Sequence, residues 1–194
     1  MTTNPRYLAM AGLVVGTLAW AGNALIARAS AGLLPPVGLS FWRWTTALML
    51  LLPFTAAGLW RHRRILMAHR WQVLVLAALS ISTYNTLLYL AAQSTTAINI
   101  TLVNTGLPVA AFIWTLIILH EWPTRATVLG AMLSLCGLLV ILTRGEAASL
   151  LELQFNPGDL IMVAAVLAWG LYSVLLRRWM LPVPGLVQLA AMLL

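Results

Sequence analysis

Apolar runs of about twenty residues follow one another along almost the whole chain, separated only by short polar or proline-rich breaks. As a helix, a run of that length crosses the roughly 30 Å hydrocarbon core of a bilayer. Residues are 62% hydrophobic and only 8% charged, with mean hydropathy +0.95, so a soluble domain of 194 residues would lack the polar side chains to cover its surface. Lipid is therefore the solvent, and the fold class expected is an all-α, polytopic membrane helical bundle. The formal charge of +7 comes from eleven arginines, with no lysine, against four acids. Those arginines sit almost entirely between apolar runs, which reads as topology and gives no reason to expect nucleic acid as a partner. Cys136 is alone in an apolar run, so no disulfide framework exists, and it reads as a small buried thiol. The first run is longer than a signal-peptide core and further spans follow at once, so it reads as an uncleaved helix.

The breaks predict helices at about 7–29, 36–59, 71–92, 96–119, 125–143 and 158–178. A seventh begins after Pro182 and Pro184, and the sequence stops inside it, as a piece of a longer protein would. With the N-terminus inside, inner segments hold Arg6, Arg61, Arg63, Arg64, Arg70, Arg125, Arg177 and Arg178, while outer segments hold only Arg28 and Arg144. That asymmetry predicts a cytoplasmic N-terminus in a cell (inner or plasma) membrane. Glu146, Glu152 and Asp159 then fall in the outer loop between the fifth and sixth helices.

The string Leu18-Ala19-Trp20 returns as Leu167-Ala168-Trp169, each copy followed by a polar residue (Asn23, Tyr172) and closed by an arginine (Arg28, Arg177). Five crossings separate the copies, so the second runs through the bilayer upside down. Inverted repeats of this kind build secondary transporters. The chain divides on this reading into a first repeat over 1–145 and the start of a second over 146–194.

Mid-helix polar groups are the candidates for chemistry. Trp20 and Trp169 lie near the middle of their helices, where an indole N–H needs a partner that lipid cannot supply. Asn23 shares a face with Trp20, and Tyr172 and Ser173 share one with Trp169. Either interhelical hydrogen bonds or a substrate-lined cavity would account for them. The other tryptophans, Trp42, Trp44, Trp60, Trp71, Trp122 and Trp179, lie near helix ends and Trp114 a turn or two inside one, as interfacial residues do. In the fourth helix Thr101, Asn104, Thr105 and Pro108 form a polar stripe. Pro108 frees the Asn104 carbonyl and Gly106 loosens the same turn, giving either a kink healed by a neighbour or a cavity wall. The third helix supplies Tyr84, Asn85 and Tyr89, a set suited to a small polar or zwitterionic solute. Arg43 is the basic residue well inside a helix: it is either an outer gate or anion contact, or it snorkels to the headgroups.

Other features read as structural. Gly12-x-x-x-Gly16, and Gly130-x-x-x-Ser134 with Gly137, are small-residue faces for close helix packing. Glu121 is placed to pair with Arg125. His62 and His69 lack a nearby acid or Cys to complete a metal set, and no P-loop is present, so neither metal nor other cofactor is expected. No paired carboxylates or His/acid cluster converge at a membrane face, which argues against an enzyme.

Taken together, Trp20 and Asn23, Pro36 followed by Arg43, Tyr84-Asn85 with Tyr89 and Ala91, Pro108, the segment from Glu121 through Gly130 to Gly137, and Trp169 with Tyr172 resemble the EamA family of the drug/metabolite transporter superfamily. His120 stands where that family often has Gly. The resemblance implies ten helices in two inverted five-helix repeats, cytoplasmic termini, and a central cavity lined partly by helices 1, 3, 4 and 6. It implies export or uptake of small metabolites by alternating access. With the polar groups above, the function expected is a permease for small polar metabolites, with amino acids or their derivatives leading and export the expected direction. Its partners are the lipid bilayer, the small-molecule substrate and either the missing C-terminal helices or a second copy in a homodimer. The competing readings are a non-transporting scaffold or inactive truncated paralogue and, within transport, a carrier of phosphorylated or nucleotide-linked metabolites, which would need several cavity arginines.

Overall fold

The computed structural model of the chain describes residues 5–142 and 156–194, and every regular element among them is helical. In chain order these are α1 (Pro5–Ala29), α2 (Pro36–Ala68), α3 (Arg70–Ser94), α4 (Ala97–Leu119), α5 (Arg125–Leu142), α6 (Pro157–Trp179) and α7 (Gly185–Leu193). Five of them, α1 to α4 and α6, carry stretches long and apolar enough to cross a membrane, so the chain is a multi-pass membrane bundle.

Three helices depart from the expected regular spans. The expected polar loop after residue 59 is instead helix, and α2 runs 33 residues, about 50 Å, passing straight through Pro53. Arg, Leu, Met and Ala between residues 61 and 68 are strong helix formers with no glycine or proline among them, so nothing stops the helix at the hydrocarbon boundary. His62 and His69 there donate through Nδ1 to the carbonyls of Gly58 and Ile65, one turn back. Within α3, Ala78–Tyr84 is wound as a π-helix between α-helical Arg70–Ala77 and Asn85–Ser94. The third departure, in α4, was expected: Ala97–Asn104 and Leu107–Leu119 are separate helices joined by a tight turn at Thr105 and Gly106, where Gly106 N–H donates to Val103 O at 2.9 Å. At its far end α4 closes on His120 in the left-handed region (φ 56), a backbone state that glycine adopts without a Cβ penalty.

Helix α6 is the central rod, packed against α4 on one side and both halves of α3 on the other, while α2 packs on α7. Three glycines allow this. A Cβ on Gly170 would stand 2.8 Å from Ala110 Cβ in α4, and one on Gly158 would stand 2.6 Å from the Ala91 carbonyl oxygen in α3. Gly58 of α2 leaves the same room for Val187 of α7. The small-residue faces expected from sequence are not these. Cβ atoms on Gly12, Gly16, Gly130 or Gly137 would meet nothing within 4 Å among the described residues. Cys136 accordingly is exposed, not buried, because the described residues of α5 are exposed almost throughout and none is buried against a neighbour.

Hydrogen bonds tie the helix ends. At one end Arg28 Nη1 donates to Ala92 O at 2.7 Å and Gly32 N–H to Gln93 Oε1 at 2.9 Å. Asp159 lies in the first turn of α6, not in a loop: buried, it accepts from Thr95 Oγ1, from Asn99 Nδ2 at 3.1 Å and from the Asn156 N–H at 2.8 Å. Thr95 also follows the end of α3, so α1 and α3 finish where α6 begins, and α1 and α6 run antiparallel. At the opposite end Glu121 pairs with Arg177 at 2.8 Å and not with Arg125. That contact is half exposed and contributes little by itself. Arg178 donates to Ile118 O at 2.9 Å, and Trp114 Nε1 reaches the Leu167 carbonyl across α4 and α6 at 2.9 Å. Glu146, Glu152 and Arg144 lie outside the described residues.

Gly158→Ala is expected to lower the free energy of unfolding by about 1–3 kcal/mol, because the backbone carbonyl opposite cannot rotate away. Gly130→Ala, facing open space, is expected to raise it by about 0.5–1 kcal/mol. Thermal unfolding in one detergent, with both variants side by side, measures the contrast.

Candidate functional site

A cavity of about 330 Å³ lies between α1, α2, α3, α6 and α7, walled by Trp20 and Asn23, Arg43 and Trp44, Tyr84 and Asn85, and Trp169 and Tyr172, with Leu189 and Met192 on the α7 side. Its polar floor starts from the π-helical turn of α3. Winding to five residues per hydrogen bond displaces the α-helical ladder, and the Asn85 side chain takes up the slack by donating to Ser80 O at 2.7 Å. That contact fixes the amide with Oδ1 turned to α2, where Arg43 Nη2 donates to it. Arg43 Nη1 donates to Asn23 Oδ1 at 2.8 Å, and Tyr89 Oη donates to the same oxygen at 2.7 Å. The guanidinium also lies over the Trp44 ring, 4.5 Å from its centroid, and 5.5 Å from that of Tyr89. Arg43 thus turns inward into a nest of neutral donors and acceptors, and does not rise to the headgroups.

The opposite wall is aromatic. Trp169 stands at its centre, with ring centroids 4.7 Å from Tyr84, 5.1 Å from Tyr172 and 5.6 Å from Trp20, all tilted. The two tryptophans of the repeated Leu-Ala-Trp string therefore touch. Tyr84 also leans the other way: its hydroxyl donates to Asn104 Oδ1 at 3.1 Å. One wall that stacks planar or apolar groups faces a floor of amides and a guanidinium.

Residues 7–143 match the model of the EamA-like transporter family. The chain belongs to that family. It is also 28% identical over 156 residues to the "Uncharacterized transporter YyaM" of Bacillus subtilis (strain 168), an alignment that takes in 79% of this chain and 50% of the relative. The chain thus spans about half the length of the curated relative it matches. No solved structure matches it significantly.

Within this EamA-like chain, six of the residues singled out from sequence gather at one cavity: Trp20, Asn23, Tyr84, Asn85, Trp169 and Tyr172, with Arg43 beside them. Tyr89 lies beneath Arg43, buried. Asn104 is behind Tyr84 and opens, with Thr101 and Thr105, on a separate groove between α1 and α4. Pro108 is exposed and contributes only the break in α4. Ser173 bonds back to the Trp169 carbonyl. Two participants escaped the sequence reading. Trp44 looked interfacial from its distance to the helix end, yet it faces the cavity; its adjacency to the one intramembrane arginine was the available signal. The π-turn left no signal beyond a cluster of hydroxyl residues at 80, 82 and 83.

Asn85→Leu removes acceptor and donor together, leaving Arg43 Nη2 without the oxygen it donates to. It is expected to cost about 2–4 kcal/mol of stability, seen as a lowered midpoint of thermal unfolding.

Proposed function

We propose that the chain acts in an inner-membrane permease that exports small polar metabolites, with amino acids and their derivatives as the substrate class. The observation that carries this reading is the mid-bundle cavity, where Trp20 and Trp169 meet opposite Arg43, Asn23 and Asn85. A scaffold has no use for polar groups facing one another at membrane depth, since each must be kept satisfied away from water. An amino-acid-sized solute fits a cavity of about 330 Å³, the amides and Arg43 meeting its polar end and the tryptophan–tyrosine wall its side chain. A phosphorylated solute would call for more than the single arginine there.

Alternating access of two inverted repeats, 1–145 and the segment beginning at 146, is the proposed mechanism. The antiparallel course of α1 and α6, each carrying its Leu-Ala-Trp, supports it. The end sealed by Arg28, Gln93 and Asp159 is proposed as the outer one. Arg61, Arg63, Arg64, Arg70, Arg125, Arg177 and Arg178 gather at the other end, which suits a cytoplasmic face and a cytoplasmic N-terminus. Helices beyond this chain, or a second copy, would complete the cavity wall.

Proteoliposomes carrying the full-length gene product and loaded with radiolabelled amino acids are expected to show exchange above protein-free vesicles. Trp169→Ala is expected to lower the flux at least tenfold with membrane insertion unchanged. Asn104→Leu, which takes away the acceptor that positions Tyr84, is expected to abolish it. Flux indistinguishable from empty vesicles for every amino acid tested would sink the substrate class.

A further inference from the structure

The charge balance of the cavity is incomplete. Arg43 has only neutral partners: two asparagine oxygens and two aromatic faces. Both acids among the described residues are engaged elsewhere, Asp159 with Thr95 and Asn99 at one end of the bundle and Glu121 with Arg177 at the other. A cation held at membrane depth without a counter-ion is among the costliest arrangements a membrane helix can carry. Two buried donors beside it are also unpartnered. Arg43 Nε has no acceptor, and neither has Nε1 of Trp44, the very ring over which the guanidinium lies. Unpaired buried donors that are neighbours, around one uncompensated positive charge and on the wall of a cavity, define what is missing by its chemistry.

We infer that Arg43 and Trp44 form the seat for the carboxylate of the solute, and that the protein selects molecules bearing a carboxylate over those of the same shape whose carboxylate is replaced by an amide. A carboxylate has two oxygens: one accepts from the guanidinium edge, the other from the indole N–H. Asn23 and Asn85 act as positioning residues, occupying both Nη groups so that the remaining Nε edge is presented. Pairing the guanidinium with the solute's carboxylate ties solute loading to the stability of the cluster, because the Arg43 charge then has a counter-ion at hand. This rests on the transport reading for its biological use, but the binding it describes is measurable without transport.

The test uses the full-length protein in phosphatidylcholine nanodiscs, with intrinsic tryptophan fluorescence as the readout. The probes are L-leucine, L-phenylalanine and benzoate, their carboxamides, and inorganic phosphate. Carboxylates are expected to quench at least tenfold more tightly than the matching amides, and Arg43→Gln to erase that preference. Asn85→Asp supplies the missing anion from within the chain and is expected to abolish carboxylate binding, while its lost donation to Ser80 O offsets the gain from pairing with Arg43 in the thermal midpoint. Amides binding as well as acids, no carboxylate binding at all, or Asn85→Asp binding normally would each overturn the inference. Phosphate binding as tightly as the carboxylates would overturn the assignment to a carboxylate. Binding suppressed by phosphatidylglycerol would assign the anion to lipid headgroups instead. Carboxylate-selective binding without flux in vesicles would leave the seat standing and overturn the transport reading.

Discussion

A guanidinium enclosed by helices must have its hydrogen bonds supplied by protein, because the surrounding hydrocarbon supplies none. Arg43 imposes that demand on three helices at once. It holds Asn23 of α1 and Asn85 of α3 against α2, and Tyr89 shares the Asn23 oxygen from below. Asn85 is oriented by donating its amide to the Ser80 carbonyl of the π-turn before it. A local irregularity in one helix thus fixes the side chain that orients the charge on another. The same helix places Tyr84 on the aromatic wall, so floor and wall are set by one distorted segment.

Packing supplies the frame in which this polar nest is held. The glycines at 158 and 170 let α6 approach α3 and α4 closely enough to bring Trp169 into the bundle's centre. Around them Tyr84, Leu88, Tyr89, Met162 and Ala165 form a dry core between the cavity and the Asp159 end. Asp159 then clamps that end through Thr95 and Asn99. The opposite end is held by an exposed ion pair and a few side-chain-to-carbonyl contacts, which are weaker restraints. An unequal distribution of strength between two ends suits a molecule proposed to open them in turn.

Much of this was legible in the sequence, and for definite reasons. Span positions follow from runs of apolar residues that only lipid can solvate, and helix starts at Pro36 and Pro157 follow from proline's preference for the first helical turn. The break in α4 follows from Pro108 and Gly106. Trp20, Asn23, Tyr84, Asn85, Trp169 and Tyr172 could be singled out because polar and amphipathic side chains at mid-span demand an explanation. The choices that went astray concern which neighbour a residue meets. Glu121 had Arg125 four residues away but found Arg177 across the bundle. The Gly-x-x-x-Gly strings of α1 and α5 advertise close packing that the described helices make at Gly58, Gly158 and Gly170 instead. Trp44 read as interfacial from its distance to the helix end, though it stands next to Arg43.

The sequence by itself determined the solvent, the all-helical class and most of the span positions, and the set of side chains that lipid cannot accommodate, since each depends on local composition. Only the tertiary structure decided that Arg43 turns inward, that the two repeated tryptophans touch, and that a buried aspartate closes one end. Those outcomes depend on distances between helices far apart in the chain. A few small residues and one π-turn set such distances, and no periodicity along the sequence records them.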